Sequence, residues 1–445
     1  MKRKASDFKD FPGQENPNKK LDGCKLPVAE DIPICPQDIK KVMTSAGALA
    51  RPFLVGDFVP VRKKHIHIRG YVDYYGGFGN HCRETILRLS RTGSYCIKLS
   101  PIKTPIDIHP DLFNQMNWFT QNPAFKQDES TFLLIAGPGH MQKKFIPKDG
   151  RYKIAWTMIE TLGVQPEIIE WSKNMDLILC PTEIDYHRFH KAGGKNLKVV
   201  PIGYDPELYH PNVEPMDITN VRDRYVFGVL GSWNHRKGVE DIVHAYCMQF
   251  TSDDPVSLLL VCKYGNRPYG PDKENTEQWG IRNELQVCLD KLHIKPHHIP
   301  HICVLDVPMH PPVIPHVCAR VDCLVGFSMG ESTWLPGLEM AAMEKPIIQL
   351  HNEACGYMDY LRDGRYMCKD IQYIQCDETL YESTSEYYKG QQMGTGNVRE
   401  LAEMMQKVYD ERNTPVQRTE INKRHKTIQH RTWDHSMEKL MEVLG

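Results

Sequence analysis

The sequence predicts an α/β protein of two doubly wound domains, each a parallel sheet covered by helices on both faces, facing one another across a cleft. Three observations carry this. From Lys64 onward short apolar strands alternate with amphipathic helices, the pattern of parallel sheets buried on both faces. The alternation breaks once, at a connector from Pro206 to Pro215, and then restarts. In both halves a strand runs into a glycine-bearing turn that opens a helix. Ligands of such folds gather there, beyond the carboxyl ends of the strands.

Residues 1–60, rich in Lys, Asp, Pro and Gly, read as an N-terminal arm, largely disordered. The first Rossmann-like domain spans 61–205. Its strands fall at 65–72, 94–100, 131–136, 152–158, 176–180 and 197–202, its helices at 80–89, 166–175 and 184–192. The second Rossmann-like domain spans 206–412. Strands at 225–230, 256–262, 302–307, 322–327 and 346–350 alternate with helices at 239–250, 278–292, 313–320 and 335–344, and a helix follows at 397–410. Residues 413–445 read as one C-terminal helix, 415–444, packing back across the domains.

A chain of 445 residues is too long for one core. Lys and Arg number 55 against 56 Asp and Glu, so no net field draws the protein to nucleic acid. The start, Met1-Lys-Arg-Lys-Ala-Ser-Asp7, lacks the apolar stretch of a signal peptide. No apolar run approaches the roughly 20 residues that span a bilayer. The fourteen cysteines form no framework, which fits reduced thiols and a cytoplasmic protein. Lys2-Arg3-Lys4 reads as a solvated tail. Lys63, Lys64, Lys143 and Lys144 are scattered basic residues, an ordinary surface or a peripheral membrane contact.

Four stretches could carry chemistry. The first strand leads into Tyr74-Tyr-Gly-Gly-Phe-Gly-Asn-His81, where Gly76, Gly77 and Gly79 permit a tight turn and the following helix offers its free N–H groups to an anion. A plain strand-to-helix turn also favours glycine. The second domain opens with Gly231-Ser-Trp-Asn-His-Arg-Lys-Gly238, where Arg236 and Lys237 could clamp a diphosphate and Gly238 relieves crowding. Lys263 ends the next strand on the same rim. After the strand at 322–327 comes Gly330-Glu-Ser-Thr-Trp-Leu-Pro-Gly-Leu-Glu339, with Pro336 suited to a first helical turn. Glu331 would face the cleft, where a carboxylate binds sugar hydroxyls or stabilises an oxocarbenium-like centre. Glu339, at about the first turn of the helix, could accept both hydroxyls of a ribose or simply answer the helix dipole.

These stretches resemble the large retaining GT-B glycosyltransferase family with a Glu-x7-Glu motif (glycosyltransferase family 4-like, "glycosyl transferases group 1"). Glu331 and Glu339 match that motif, and Arg236-Lys237-Gly238 matches its basic loop. Met158-Ile-Glu160, the 176–180 strand running into Pro181-Thr-Glu183, and Val199-Val-Pro-Ile-Gly-Tyr-Asp205 resemble stretches of the family's first domain and its exit. The likeness runs in order over about 65–440.

It implies a hexosyltransferase moving a sugar from a UDP- or GDP-sugar to a glycan, lipid or protein-linked acceptor with retention of configuration, needing no cofactor and no metal. It makes 61–205 the acceptor domain and 206–412 the nucleotide-sugar domain. Lys237 would contact the donor diphosphate with Arg236 and Lys263, Glu339 the ribose, and Glu331 the transferred sugar. Leu335, opening the helix, joins the donor-binding set. Gly76, Gly77 and Gly79 would approach the donor phosphate or the acceptor, and His140, after Gly137-Pro-Gly139, would touch the donor sugar. Two departures stand out. Ser232 and Trp233 follow Gly231, where many relatives carry Arg. Ser332 and Trp334 stand where relatives have small residues, so an indole is expected to reshape the sugar pocket. They motivate an alternative reading, a non-catalytic relative that binds a sugar nucleotide or glycan. A phosphorylase would need a pyridoxal phosphate lysine, which no stretch suggests. His293, His297, His298, His301, Cys303, His310, His316, Cys318 and Cys323 lack zinc-ligand spacing and read as loop histidines and core cysteines. No Asp-x-Asp triplet occurs, so the metal-dependent glycosyltransferase fold is not expected.

Overall fold

The computed structural model describes residues 63–72, 76–102, 110–264, 280–305, 311–376 and 388–445, of which the side chains of 110–113, 115, 263, 264 and 296 are excepted. The expected N-terminal arm and His310 lie outside the described residues. All described residues belong to one compact unit, Ile34–Gly445.

The first half builds a sheet from β1 (Lys64–Gly70), β2 (Tyr95–Pro101), β3 (Ser130–Ile135), β4 (Lys153–Trp156), β5 (Leu177–Cys180) and β6 (Leu197–Val199). Its order is β2-β1-β3-β4-β5-β6, every pair parallel. The second half builds β7 (Tyr225–Trp233), β8 (Val256–Tyr264), β9 (Ile302–Val304), β10 (Cys323–Val325), β11 (Ile347–Leu350) and β12 (Met367–Cys368) into a second parallel sheet, β12-β11-β10-β7-β8-β9. Both are doubly wound, and each reverses its winding once, between β1 and β3 and between β7 and β10. The crevice beyond the carboxyl ends of the strands at such a reversal is where these sheets bind ligands.

Continuous apolar runs such as Phe132–Ile135 and Leu258–Leu260 are buried, as strands covered on both faces require. Several elements lie beyond the periodicity of the sequence, among them strand β12 and helix Met358–Leu361. Helix Pro110–Thr120 packs on β2, and an antiparallel hairpin joins β13 (Ile371–Gln375) to β14 (Gln392–Gly396). The twelve cysteines among the described residues are all buried and reduced. Burial pushes the Cys262 thiol up to about 12, far from a reactive thiolate.

One expectation is corrected. The single helix over 415–444 is two helices, Pro415–Ile428 and Trp433–Leu444. Between them the chain crosses back to the first half, where Tyr204 donates its N–H to the Arg431 carbonyl at 3.0 Å and accepts from the Trp433 N–H at 3.0 Å. Thr432 then caps the last helix by accepting from the His435 N–H. That helix drives Trp433, Met437 and Leu440 into the first half's core. Arg88 ties the crossing together, bonding Asp205, just before the connector, at 2.7 Å and Asp434 of the last helix.

Among the described residues no helix is long and apolar enough to cross a membrane.

Candidate functional site

The second half's reversal lies between β7 and β10, and its two loops carry most of the residues of interest. Beyond β7 the chain makes a tight turn, His235–Lys237, whose entry residue Asn234 accepts the Lys237 N–H at 3.0 Å. Gly238 closes it at φ 64°, a left-handed conformation that favours glycine. A side chain there would also collide with the Phe327 carbonyl oxygen. The turn therefore aims Arg236 and Lys237 at the loop beyond β10.

That loop returns Glu331 to meet them. The Lys237 ammonium bonds Glu331 Oε1, Arg236 Nη1 lies 3.3 Å from the same oxygen, and Ser328 Oγ donates to it at 3.0 Å. Arg236 Nη1 also donates to the Gly330 carbonyl. Its Nη2 turns the other way, to Glu160 Oε1 of the first half at 3.1 Å. Glu160 in turn accepts from the Tyr388 hydroxyl. Arg236 thus bridges the two carboxylates and Lys237 joins it on Glu331, in a cluster where Glu331 is 6%, Arg236 13%, Glu160 21% and Lys237 22% exposed. Burial alone would raise the Glu331 carboxyl, but Lys237 and Arg236 prevail and hold it below the ordinary carboxylate range. Burial would likewise lower Arg236, but Glu160 and Glu331 raise it.

The structure brings Arg236, Lys237 and Glu331 together from positions about ninety residues apart in sequence. Glu160 joins them. The motif reading gave it no role, although a carboxylate just beyond the end of a central strand was a visible signal. Lys263 is the penultimate residue of β8, in register with Ser232 on the same rim, and its side chain lies outside the described ones. Leu335 opens helix Leu335–Ala342 and packs on the first half's core.

Glu339 stands apart from the cluster. It is the fifth residue of helix Leu335–Ala342, and no acidic residue occupies the first turn. The dipole explanation therefore fails for it. Its carboxyl is buried, accepts a hydrogen bond from the Tyr209 hydroxyl and faces Glu84. Burial, reinforced by Glu84 and opposed by Tyr209, pushes it up to about 7. The native state therefore holds this proton between the ordinary value of 4.5 and about 7, and stability falls as pH rises through that window. Above it the buried charge costs up to about 3 kcal/mol. Glu339→Gln is expected to raise Tm over wild type at pH 8.5 and to match it near pH 4.5. Parallel Tm-versus-pH curves for the two proteins would contradict this origin.

Trp334 is packed into the fold. Its indole does not stand in the open cleft but is 8% exposed, lying where any side chain at Gly326 or Gly337 would have to be. Trp334 itself has φ 49°, ψ 72°, left-handed for a non-glycine residue, at a cost of about 1–3 kcal/mol. The Tyr360 hydroxyl, which donates to the Trp334 carbonyl at 3.2 Å, helps to hold it.

In the first half, Gly76 is extended at φ −102° and caps helix Gly77–Arg91, which takes in Gly77 and Gly79. No left-handed backbone is needed at the three glycines. The space beside Gly77 is open. His140 sits in the turn Pro138–Met141 beyond β3, its Nε2 3.4 Å from the Tyr71 hydroxyl and its ring edge-on to Tyr71. The same turn and the Gly137 before it line a small cleft together with Phe78, Glu160 and Tyr388.

His301 bonds Ser257 at 2.9 Å and His316 the Glu214 carbonyl at 2.7 Å, while Cys303, Cys318 and Cys323 are buried in the core. Among the described residues no group of three or more His, Cys, Asp or Glu could hold a metal ion.

No protein-family model and no curated protein sequence matches the chain. Solved structures do match its fold. HepE of Anabaena in complex with UDP superposes with a TM-score of 0.58 at 15% identity, over 86% of this chain and 99% of that one. The sucrose-phosphate synthase of Thermosynechococcus elongatus gives 0.56 at 12%, over 86% and 98%. A glycosyltransferase of Rickettsia africae gives 0.54 at 11%, over 86% and 98%. With its two parallel six-stranded sheets, the chain has the GT-B fold.

Proposed function

We propose that this chain is a glycosyltransferase. It takes a sugar from a UDP- or GDP-sugar and passes it, with retention of configuration and without a metal, to a glycan, lipid or protein-linked acceptor. The observation that carries this reading is the cluster of Arg236, Lys237 and Glu331 at the winding reversal of the second sheet. Two adjacent cations on one loop can exchange carboxylate oxygens for those of a diphosphate, which their charge and geometry favour. Glu331, released from them, would then face the sugar and stabilise positive charge developing at its anomeric carbon. The leaving phosphate can assist departure, so no enzyme nucleophile is assigned. Glu339 would accept the ribose hydroxyls, with Leu335 and Lys263 completing the donor side. His140 and the Gly76–Gly79 turn would approach from the first half. HepE, which shares the fold, has been solved with UDP-glucose.

Thermal unfolding with UDP- and GDP-sugars tests this. A donor at about 100 times its Kd adds roughly 2.7 kcal/mol of stability, and the gain is expected to vanish in Glu339→Ala. Release of free sugar from the stabilising donor then separates an enzyme from a binder. The observation favouring the second reading, a non-catalytic sugar-nucleotide or glycan binder, is that Lys237 and Arg236 are already paired to carboxylates. If no sugar nucleotide shifts the transition at millimolar concentration, the donor site is abandoned.

A further inference from the structure

The loop that carries Glu331 is gripped from behind by the first half. Asp185 lies in helix Glu183–Lys191, beyond β5, and is fully buried. Its Oδ2 accepts from the Ser332 hydroxyl at 2.5 Å, and its Oδ1 faces Arg188 Nη1 at 3.3 Å. Ser332 is the residue next to Glu331 and is 1% exposed.

Arg188 extends the grip. Its Nη1 donates to the Ile159 carbonyl at 3.3 Å and its Nη2 to the Glu353 carbonyl at 2.5 Å. Ile159 precedes Glu160. Glu353 precedes Ala354, whose carbonyl accepts the Glu331 N–H at 3.4 Å, while the Glu331 carbonyl accepts the Gly356 N–H at 2.9 Å. One buried Asp–Arg pair therefore touches both segments that deliver a carboxylate to Arg236, one from each half. A pair that merely stapled its own helix would need neither Ser332 nor those two carbonyls. Apolar residues of the same size would often pack at least as stably. What the ion pair adds is fixed direction, in a dry setting where charge-assisted hydrogen bonds are strong. Neighbouring atoms are equally constrained. Thr182 Oγ1 accepts the Asp185 N–H at 3.0 Å and lies 2.8 Å from where a side chain at Gly356 would begin.

We propose that Asp185 is a positioning residue for the candidate site: through the Ser332 hydroxyl it sets the Glu331 loop, so that Glu331 is correctly placed only while the two halves are docked. The proposal rests on the glycosyl-transfer reading for its kinetic consequence, not for its structural one.

Ser332→Ala removes the hydroxyl and leaves Arg188–Asp185 in place, and Asp185→Asn removes the charge with little change of shape. Two readouts are taken on the full chain. The first, amide hydrogen exchange at Met329, Glu331 and Gly356, needs no donor. It is expected to quicken by about tenfold or more in Ser332→Ala, more than at amides outside these segments, with Tm lowered by the loss of one buried hydrogen bond. The second is turnover of the sugar nucleotide that stabilises the wild type. There kcat is expected to fall about tenfold or more and KM to stay within about threefold. The double variant is expected to be no worse than Asp185→Asn alone, since both changes break one link. Unchanged exchange at the three amides overturns the proposal, and so does quickened exchange with wild-type kcat. If Asp185→Asn fails to fold, Ser332→Ala decides. If wild type binds and turns over no sugar nucleotide, the glycosyl-transfer reading fails, and the exchange measurement alone upholds or overturns the latch.

Discussion

Gly330→Ala is expected to cut turnover of a sugar-nucleotide donor by about a hundredfold, with a lowered Tm. A methyl group at this position would overlap the Glu160 carbonyl oxygen and crowd Met393 at 3.3 Å. Gly330 has no left-handed backbone, so the effect is steric and not conformational. The obstacle is backbone from the other half, which no rotamer change can relieve. Overpacking of this kind typically costs about 1–3 kcal/mol. Relief here requires the Glu160 segment to withdraw, taking its carboxylate from Arg236. A displacement of about 1 Å at reacting groups costs on the order of a hundredfold in rate. Measured kcat and Tm for the purified variant check this. Wild-type turnover would mean that Glu160 and Gly330 are not in contact in the working protein.

Arg236→Met is expected to lower the unfolding free energy by about 4 kcal/mol at pH 7, the usual cost of removing one partner from a buried pair. Glu160 keeps the Tyr388 hydroxyl, and Glu331 keeps Lys237 and Ser328, but neither retains the guanidinium. The pH dependence follows in sign. The folded value of Glu331 lies below its ordinary 4.5. Its contribution is therefore present above pH 4.5 in wild type and is lost as pH falls through the folded value. Removing Arg236 leaves Lys237 as the one cation opposing burial, so the Glu331 carboxyl moves up, and the penalty is largest at neutral pH and shrinks in acid. Urea unfolding at pH 7 and pH 4 measures it. Arg236→Met/Glu331→Gln is expected to recover part of the loss. A loss under about 1 kcal/mol at pH 7 would place the cluster in solvent, where ion pairs contribute little.

The alternation of strands and helices was legible over most of both halves, because strands covered on both faces and helices covered on one leave distinct periodicities, but helix Pro110–Thr120 and the two-residue strand β12 were missed. Boundaries moved by a few residues. The hairpin of β13 and β14 was not legible: its strands read Ile-Gln-Tyr-Ile-Gln and Gln-Met-Gly-Thr-Gly, too polar and glycine-rich to stand out. The break at 429–432 was hidden because its cause, backbone pairing with Tyr204, lies more than two hundred residues upstream. In the site, Arg236, Lys237 and Glu331 could be named from local motifs, yet their mutual contact could not. Asp185 left no trace, since a carboxylate in the first turn of a helix has an ordinary explanation. The orientation of Trp334 depends on a left-handed backbone and on two glycines, Gly326 and Gly337, that only folding places on either side of its ring.

The last helix also bears on the order in which the protein is made. Trp433, Met437 and Leu440 belong to the core of the half that leaves the ribosome first. Strands β1 to β6 therefore emerge long before the residues that seal them, and that half waits, incomplete, for the final dozen residues. The second half has no such debt and can close as it is synthesised. A chain interrupted just before Trp433 would keep its later-made sheet and fail in its earlier-made one, so damage at one terminus is felt at the opposite end of the polypeptide.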